Sequence, residues 1–381
     1  MITMRFAASL RFATLAGAIA ALAACRDARP GSTRGERPAV VTTVTETTST
    51  PFALPPSRQR RMAPALNHHR WLRGGSERDT LFAFPRTLAV DDHHLYVLDA
   101  DSHQVTALRT TDGSLDWHVG GRLDSSLAPV AIAAAPARGL VLADAAHARL
   151  LTLGDDGRPL ASIPFAAAAD ARSLCALADG SVLVAGADPT GALLRVSPHE
   201  TSPTRVPFPW PDLDSRHRLA RQISLASSPD AAGCVVALVL GRGFALYDGS
   251  RYVARQPYVE SFDLPGVTTT TTGDSAAFTR VEQLDDSRVA ARDVATSAAR
   301  VVVAFDGASP LRARVLDLYD RSTGAYSRSV SLPGRIAAVA DDGRDIYVAF
   351  MRHGRAAVAA LPYSTAKDSL VVAPARQLTA R

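Results

Sequence analysis

Residues 94–108 read HLYVLDADSHQVTAL, and the reading of that stretch decides the fold. An apolar run from Leu95 to Leu98 leads into a polar loop, and a second apolar run, ending at Leu108, follows it. Runs of about five to seven residues, rich in branched and aromatic side chains and bounded by turn residues, read as strands. The same unit returns as GLVLADAAHARLLTL (139–153), SVLVAGADPTGALLRV (181–196), CVVALVLGRGFALYDG (234–249), RVVVAFDGASPLRARVLDLYD (300–320) and DIYVAFMRHGRAAVAAL (345–361). Several copies carry a further apolar run upstream, as in RTLAVDD (86–92) and RIAAVADDG (335–343). The six copies stand roughly 40 to 65 residues apart, and meanders of about four strands repeated at about 40 to 50 residues are the signature of stacked blades. One such unit cannot bury both of its faces, so neighbours must pack around an axis. The expectation is an all-β, six-bladed β-propeller over residues 68–365.

A ring of blades must close. The last unit ends at AAVAALPY without an outer strand, whereas HHRWLRGG (68–75) stands alone ahead of the first. Pairing the two would cover an edge whose N–H and C=O groups otherwise lack partners. The segment holding Trp71 is therefore expected to supply the outer strand of the last blade.

With the blades assigned, FPRTLAVDDHHLYVLDADSHQVTALRTTDGSLDWHVG (84–120) resembles an NHL-type repeat. VLDLYDRSTGAYSRSVSLPG (315–334) and YVESFDLPG (258–266) resemble the later blades of bacterial six-bladed β-propeller lipoproteins. The likeness covers the region from about residue 68 to 365. It implies the fold and says little about activity.

The N-terminus points to export. Arg5 and Arg11 precede an apolar run from Ala13 to Ala24, the length of a secretory leader and too short to span a bilayer. Leu22-Ala23-Ala24-Cys25 resembles a bacterial lipobox, which implies that residues 1–24 are removed and that Cys25 is acylated. Several acyl chains on one residue meet the requirement for stable anchoring. Residues 25–67, rich in Thr, Pro, Arg and Ser, read as a disordered tether, and 366–381 as a C-terminal tail. Arg26, rather than an acidic residue, follows the cysteine and leans the anchor towards the outer membrane.

Loss of Arg5 and Arg11 with the leader lowers a formal net charge of only +5, and Lys367 is the one lysine. No dense basic cluster interleaves with aromatics, which argues against nucleic acid as a partner. Cys175 and Cys234 sit in apolar runs (SLCAL, GCVVAL) and are expected to be buried free thiols rather than a disulfide. Neither belongs to a CxxC pair, so no redox or zinc role is expected.

DDHHLYVLDADSH (91–103) offers seven side chains able to hold a metal. A strand rising ~3.3 Å per residue separates its two polar clusters by roughly 15 Å, so one ion cannot take both. The first cluster recurs as ADDGRD (340–345) and LADGS (177–181), the second as ADAAH (143–147), as repeated turn chemistry requires. No metal and no cofactor is therefore assigned. Asp99, Asp101 and His103 remain candidates for ligand contact at the channel mouth. So does Trp210, in FPWPDLDSRHRLARQ (208–222), where Arg216, Arg218 and Arg221 also lie.

TTTTTGDSAAF (268–278) reads as an inter-blade surface loop, and Ser275 within it has no sign of a partner base. No nucleophile elbow or phosphate loop appears. The sequence thus reads as a lipid-anchored binding or scaffold module of the cell envelope with an envelope protein as partner. The competing reading is a metal-dependent propeller hydrolase, lactonase or lyase with its site at the channel mouth. Calcium-dependent propellers of that kind hold the ion with carboxylate and asparagine oxygens; here Asn67 lies just outside the repeats, which leaves only aspartates to serve. A sugar-binding module would call for exposed aromatics, and only 6% of the residues are aromatic.

Overall fold

The protein is represented by a computed structural model that describes residues 60–363. Excepted are residues 64–68, 75–80, 122–125, 136–138, 189, 214–217, 229–232, 261, 263, 275–276, 285–287, 308–310 and 353–354. The leader, Cys25, Ser275, Arg216 and the tail from 366 lie outside the described residues.

Six four-stranded antiparallel sheets follow one another along the chain as blades 1 to 6. They occupy residues 85–120, 129–164, 173–206, 223–257, 291–331 and 335–362. The first strand of each lines the axis and the fourth lies outermost. The turns joining strands one to two and three to four share one face of the disc, here the turn face. The remaining loops and the crossovers between blades share the other, the loop face. The first strands of four blades carry a register shift near their start, at Pro85/Thr87, Pro129/Ala131, Ala291/Asp293 and Ile336/Ala338.

The blades differ from ordinary sheets in that both faces are covered. His94–Asp99 is buried at every position, as are Gly139–Asp144 and Arg300–Phe305. This is why these strands are continuous apolar runs in the sequence. Outer strands contribute mainly backbone, and Pro159–Pro164 is exposed along most of its length. The core is accordingly split into six clusters, one at each seam between neighbouring blades.

The ring closes as the sequence implies. Arg70–Arg73 pairs antiparallel with Arg355–Pro362, with Trp71 opposite Ala359, as the fourth strand of blade 6. Arg70 also donates from its guanidinium to the Thr110 and Thr111 carbonyls of blade 1.

Three local expectations need correction. Cys175 and Cys234 form a disulfide, with Cα atoms 6.1 Å apart, joining blade 3 to blade 4. An apolar setting does not keep two thiols apart when adjacent blades bring them face to face. The threonine run is a hairpin rather than a loop: Val267–Asp274 pairs with Ala277–Leu284 between blades 4 and 5. Five consecutive β-branched threonines favour extended backbone. Finally, residues 60–63, read as tether, lie along the outer strand of blade 5, where Ser329 N–H donates to the Arg61 carbonyl and Ala63 N–H to that of Ser329.

Candidate functional site

Polar and charged side chains gather at four places on the disc: the central channel, a groove on the turn face, and the loop-face and turn-face ends of DDHHLYVLDADSH.

The channel is lined by the first strands, with Leu88, Ala133, Leu174, Val294 and Val339 among its walls, and holds a void of about 40 Å³. Ligand sites for small molecules run to several hundred Å³, whereas this void has room for a few waters. Its polar centre is Asp293. Ser224 Oγ of blade 4 donates to Asp293 Oδ1 at 3.1 Å, and the Val339 amide of blade 6 donates to Oδ2 at 2.9 Å. One carboxyl thus ties three blades together at the axis. Burial pushes its pKa up to about 7, against the opposing pull of these hydrogen bonds. Asp341 also borders the channel but is held by Arg300, with Nη2 2.6 Å from its Oδ1.

On the turn face between blades 4 and 5 lies a groove of about 320 Å³. Leu246 and Tyr247 are its buried apolar part, Val253 stands 54% exposed on the outer strand, and Asp248 and Arg321 bring opposite charges to it. The amides of Arg251 and Ser250 hold the Asp248 carboxyl down at about 2. Arg321 is tied back through a hydrogen bond to the Ser297 carbonyl at 2.9 Å.

The sequence candidates on the loop face separate. Asp99 is buried and its oxygens are engaged in the fold. Oδ2 accepts the amides of Ala83 and Phe84, and Oδ1 accepts those of Asp101 and Ser102 together with the Ser102 hydroxyl. Asp144 repeats the role in blade 2 by accepting the Ala128 and Ala146 amides. The aspartate that ends the second strand thus fastens the crossover entering its own blade. Asp101 and His103 are exposed beside it. Trp210 is half-buried against the apolar cluster between blades 3 and 4, and its carbonyl accepts the Leu213 amide. Arg221 lies over the Phe208 ring at 4.9 Å. Phe208, Trp210 and Leu213 of the proline-rich linker are therefore packed against this cluster.

The turn-face cluster of DDHHLYVLDADSH behaves otherwise. Asp91 Oδ1 accepts the amides of His93 and His94, and Tyr96 donates its hydroxyl to Asp91 Oδ2 at 2.6 Å. The same turn is built in blade 6, where Asp342 accepts the Arg344 and Asp345 amides and the Tyr347 hydroxyl. What blade 6 lacks is the neighbour. At blade 1, Asp155 of blade 2 comes within 4.8 Å of both Asp91 and His94. That partner was missed because it lies some sixty residues away. The available signal was the doubled acid in GDDG (154–157) against TTDG (110–113). Asp156 caps its turn by accepting the Arg158 amide, as Asp112 does for Ser114, so Asp155 is surplus to the turn.

The fold is thus a six-bladed β-propeller with its ring closed by an N-terminal strand. No protein-family model matches the chain, and no curated protein matches it either. Among solved structures it is similar to a streptogramin B lyase, at 6% identity and a TM-score of 0.46 over 78% of this chain and 98% of that one. It is also similar to hydrazine synthase of Kuenenia stuttgartiensis, at 15% identity and a TM-score of 0.44 over 75% and 97%. Virginiamycin B lyase from Staphylococcus aureus is similar at 8% identity, with a TM-score of 0.44 over 74% and 96%. At this level of likeness no site or activity carries over.

Proposed function

We propose that this propeller is a lipid-anchored binding or scaffold module of the cell envelope, held by acylated Cys25 and recognising an envelope protein through a face of the disc. The observation that carries the binding reading is the channel. Its void of about 40 Å³ has room for a few waters, and of the two carboxyls on it Asp293 is committed to neighbouring blades and Asp341 to Arg300. A hydrolase or lyase acting at the channel mouth would call for carboxylates or histidines converging there from several blades. A ring whose axial void holds only a few waters instead offers its faces, and the groove between blades 4 and 5 is larger than that void. The Cys175–Cys234 disulfide supports the envelope setting, because such bonds persist in oxidising compartments.

Site-specific photocrosslinking in cells tests the reading. A photoreactive residue at Val253 in the groove should capture one discrete envelope protein. The same group at His103 on the loop face compares the other candidate surface, and at Leu160, 63% exposed on the outer strand of blade 2, it controls for chance encounter. Equal, diffuse labelling from all three positions would contradict a binding module.

A further inference from the structure

The seam between blades 1 and 2 carries a cluster that neither the channel nor the groove employs. Asp91, His94 and Asp155 each direct one ligand atom into a space where all three lie within 4.8 Å of one another. Acidic turns often gather without any ligand, so the carboxylates alone decide nothing. His94 decides it.

The His94 side chain is only 9% exposed, and its two nitrogens have unequal surroundings. Nε2 lies 3.0 Å from Asp116 Oδ2, a carboxylate that can only accept, so Nε2 carries the proton. In that tautomer Nδ1 presents a bare lone pair. It is buried, finds no hydrogen-bond partner among the described residues, and stands 3.9 Å from Asp91 Oδ1. A buried acceptor beside the Asp91 carboxylate, with Asp155 in the same cluster, is a costly arrangement that a cation among them would relieve.

We propose that Asp91, His94 and Asp155 form a binding site for one divalent transition-metal ion of the zinc class, with water completing its shell. Zinc bonds to nitrogen and oxygen are about 2.0–2.2 Å long, which sets ligand atoms on a shared ion roughly 3–3.6 Å apart. The observed separations exceed this by an amount that rotation of the exposed Asp155 side chain and a small shift of Asp91 supply. An imidazole ligand selects zinc-like ions over calcium and magnesium, which prefer all-oxygen sites. The surrounding shell is already in place. Asp116 fixes the ring as a carboxylate behind a metal-bound histidine does, and Arg109 in turn pairs with Asp116 at 3.0 Å. Trp117 Nε1 donates to the Asp155 carbonyl at 2.6 Å and packs on Gly157. At Gly157, φ is +76°, and a Cβ would meet that indole at 2.9 Å, so the acid-bearing turn is held against blade 1. The ion would fasten the two blades at the turn face.

Full-length protein without a polyhistidine tag, stripped with chelator and dialysed, is titrated separately with Zn²⁺, Co²⁺ and Ca²⁺. The expected result is one equivalent of Zn²⁺, a visible Co²⁺ absorption band, and no stoichiometric Ca²⁺. Asp155→Asn, at an exposed turn, should weaken Zn²⁺ at least tenfold with an unchanged circular dichroism spectrum, and His94→Gln should abolish binding. Asp116→Asn, behind the histidine, should keep the stoichiometry and lose about 10- to 100-fold in affinity. Failure of the folded wild type to bind Zn²⁺ or Co²⁺ stoichiometrically would overturn the site, as would undiminished binding by Asp155→Asn. Stoichiometric Ca²⁺ binding would overturn the assigned class of ion.

Discussion

Single side chains at the seams and the axis hold this ring in ways that repeat chemistry does not explain. Arg60 is one. Its guanidinium donates from Nε and Nη2 to the two oxygens of Asp317, each at 3.1 Å, and from Nη1 to Glu260 at 2.6 Å, while lying 3.9 Å over the Phe305 ring. Asp317 has no exposed side-chain surface. Arg60→Ala would leave that buried carboxylate the Ser329 hydroxyl and no counter-charge, and removing one partner of a buried pair costs about 3–5 kcal/mol. Denaturant unfolding should register a loss of this order, and Arg60→Ala with Asp317→Leu should recover part of it. Asp293 gives a pH dependence of definite sign. The unfolded carboxyl ionises near 3.8, whereas the folded one keeps its proton to about 7. Between those values the folded state binds more protons, so stability falls as pH rises through the window and levels off above it. The loss is at most about 4 kcal/mol. Asp293→Asn, which preserves an acceptor for the Val339 amide, should flatten the curve between pH 4 and 7 when unfolding is followed against pH.

Among the elements, the second and third strands of every blade are plain in the sequence because neighbouring blades cover both of their faces. HLYVLD and RVVVAF have no solvent side and so no alternation to disguise them. Outer strands such as PLASIP contribute edge pairing with little burial, and their composition is that of a loop. The closing strand was legible for a different reason: Trp71 stands in an isolated apolar run outside any repeat. Two features were not legible. The disulfide joins residues 59 apart whose strands meet only once the blades stack. Asp155 likewise meets His94 only across a seam, and pattern along one strand carries no information about the strand of the next blade. Closure by Arg70–Arg73 has a measurable consequence. A chain starting at residue 60 should fold as a monomer, whereas one starting at residue 75 exposes the Arg355–Pro362 edge and should aggregate or unfold in size-exclusion and circular dichroism measurements.

The whole molecule is a closed ring stapled in three ways: by the N-terminal strand between its ends, by a disulfide between blades 3 and 4, and by Asp293 across its axis. These ties bear on the axis and the seams, and the proposed recognition is assigned to the faces of the disc. The proposed anchor lies in the sequence before the ring, and the disulfide is compatible with the oxidising compartment that the proposal requires. Reduction of a bond closing a loop of this length costs about 2–4 kcal/mol, so thermal stability should fall on treatment with reductant and be unaffected by it in Cys175→Ser. The central claim, that this is a lipid-anchored envelope propeller, is met most directly by intact-mass spectrometry of the native protein purified from envelopes without reductant. The account predicts a chain beginning at Cys25, heavier by its acyl groups and lighter by the two hydrogens of the Cys175–Cys234 bond. A mass showing an uncleaved or unacylated N-terminus with both thiols free would contradict it.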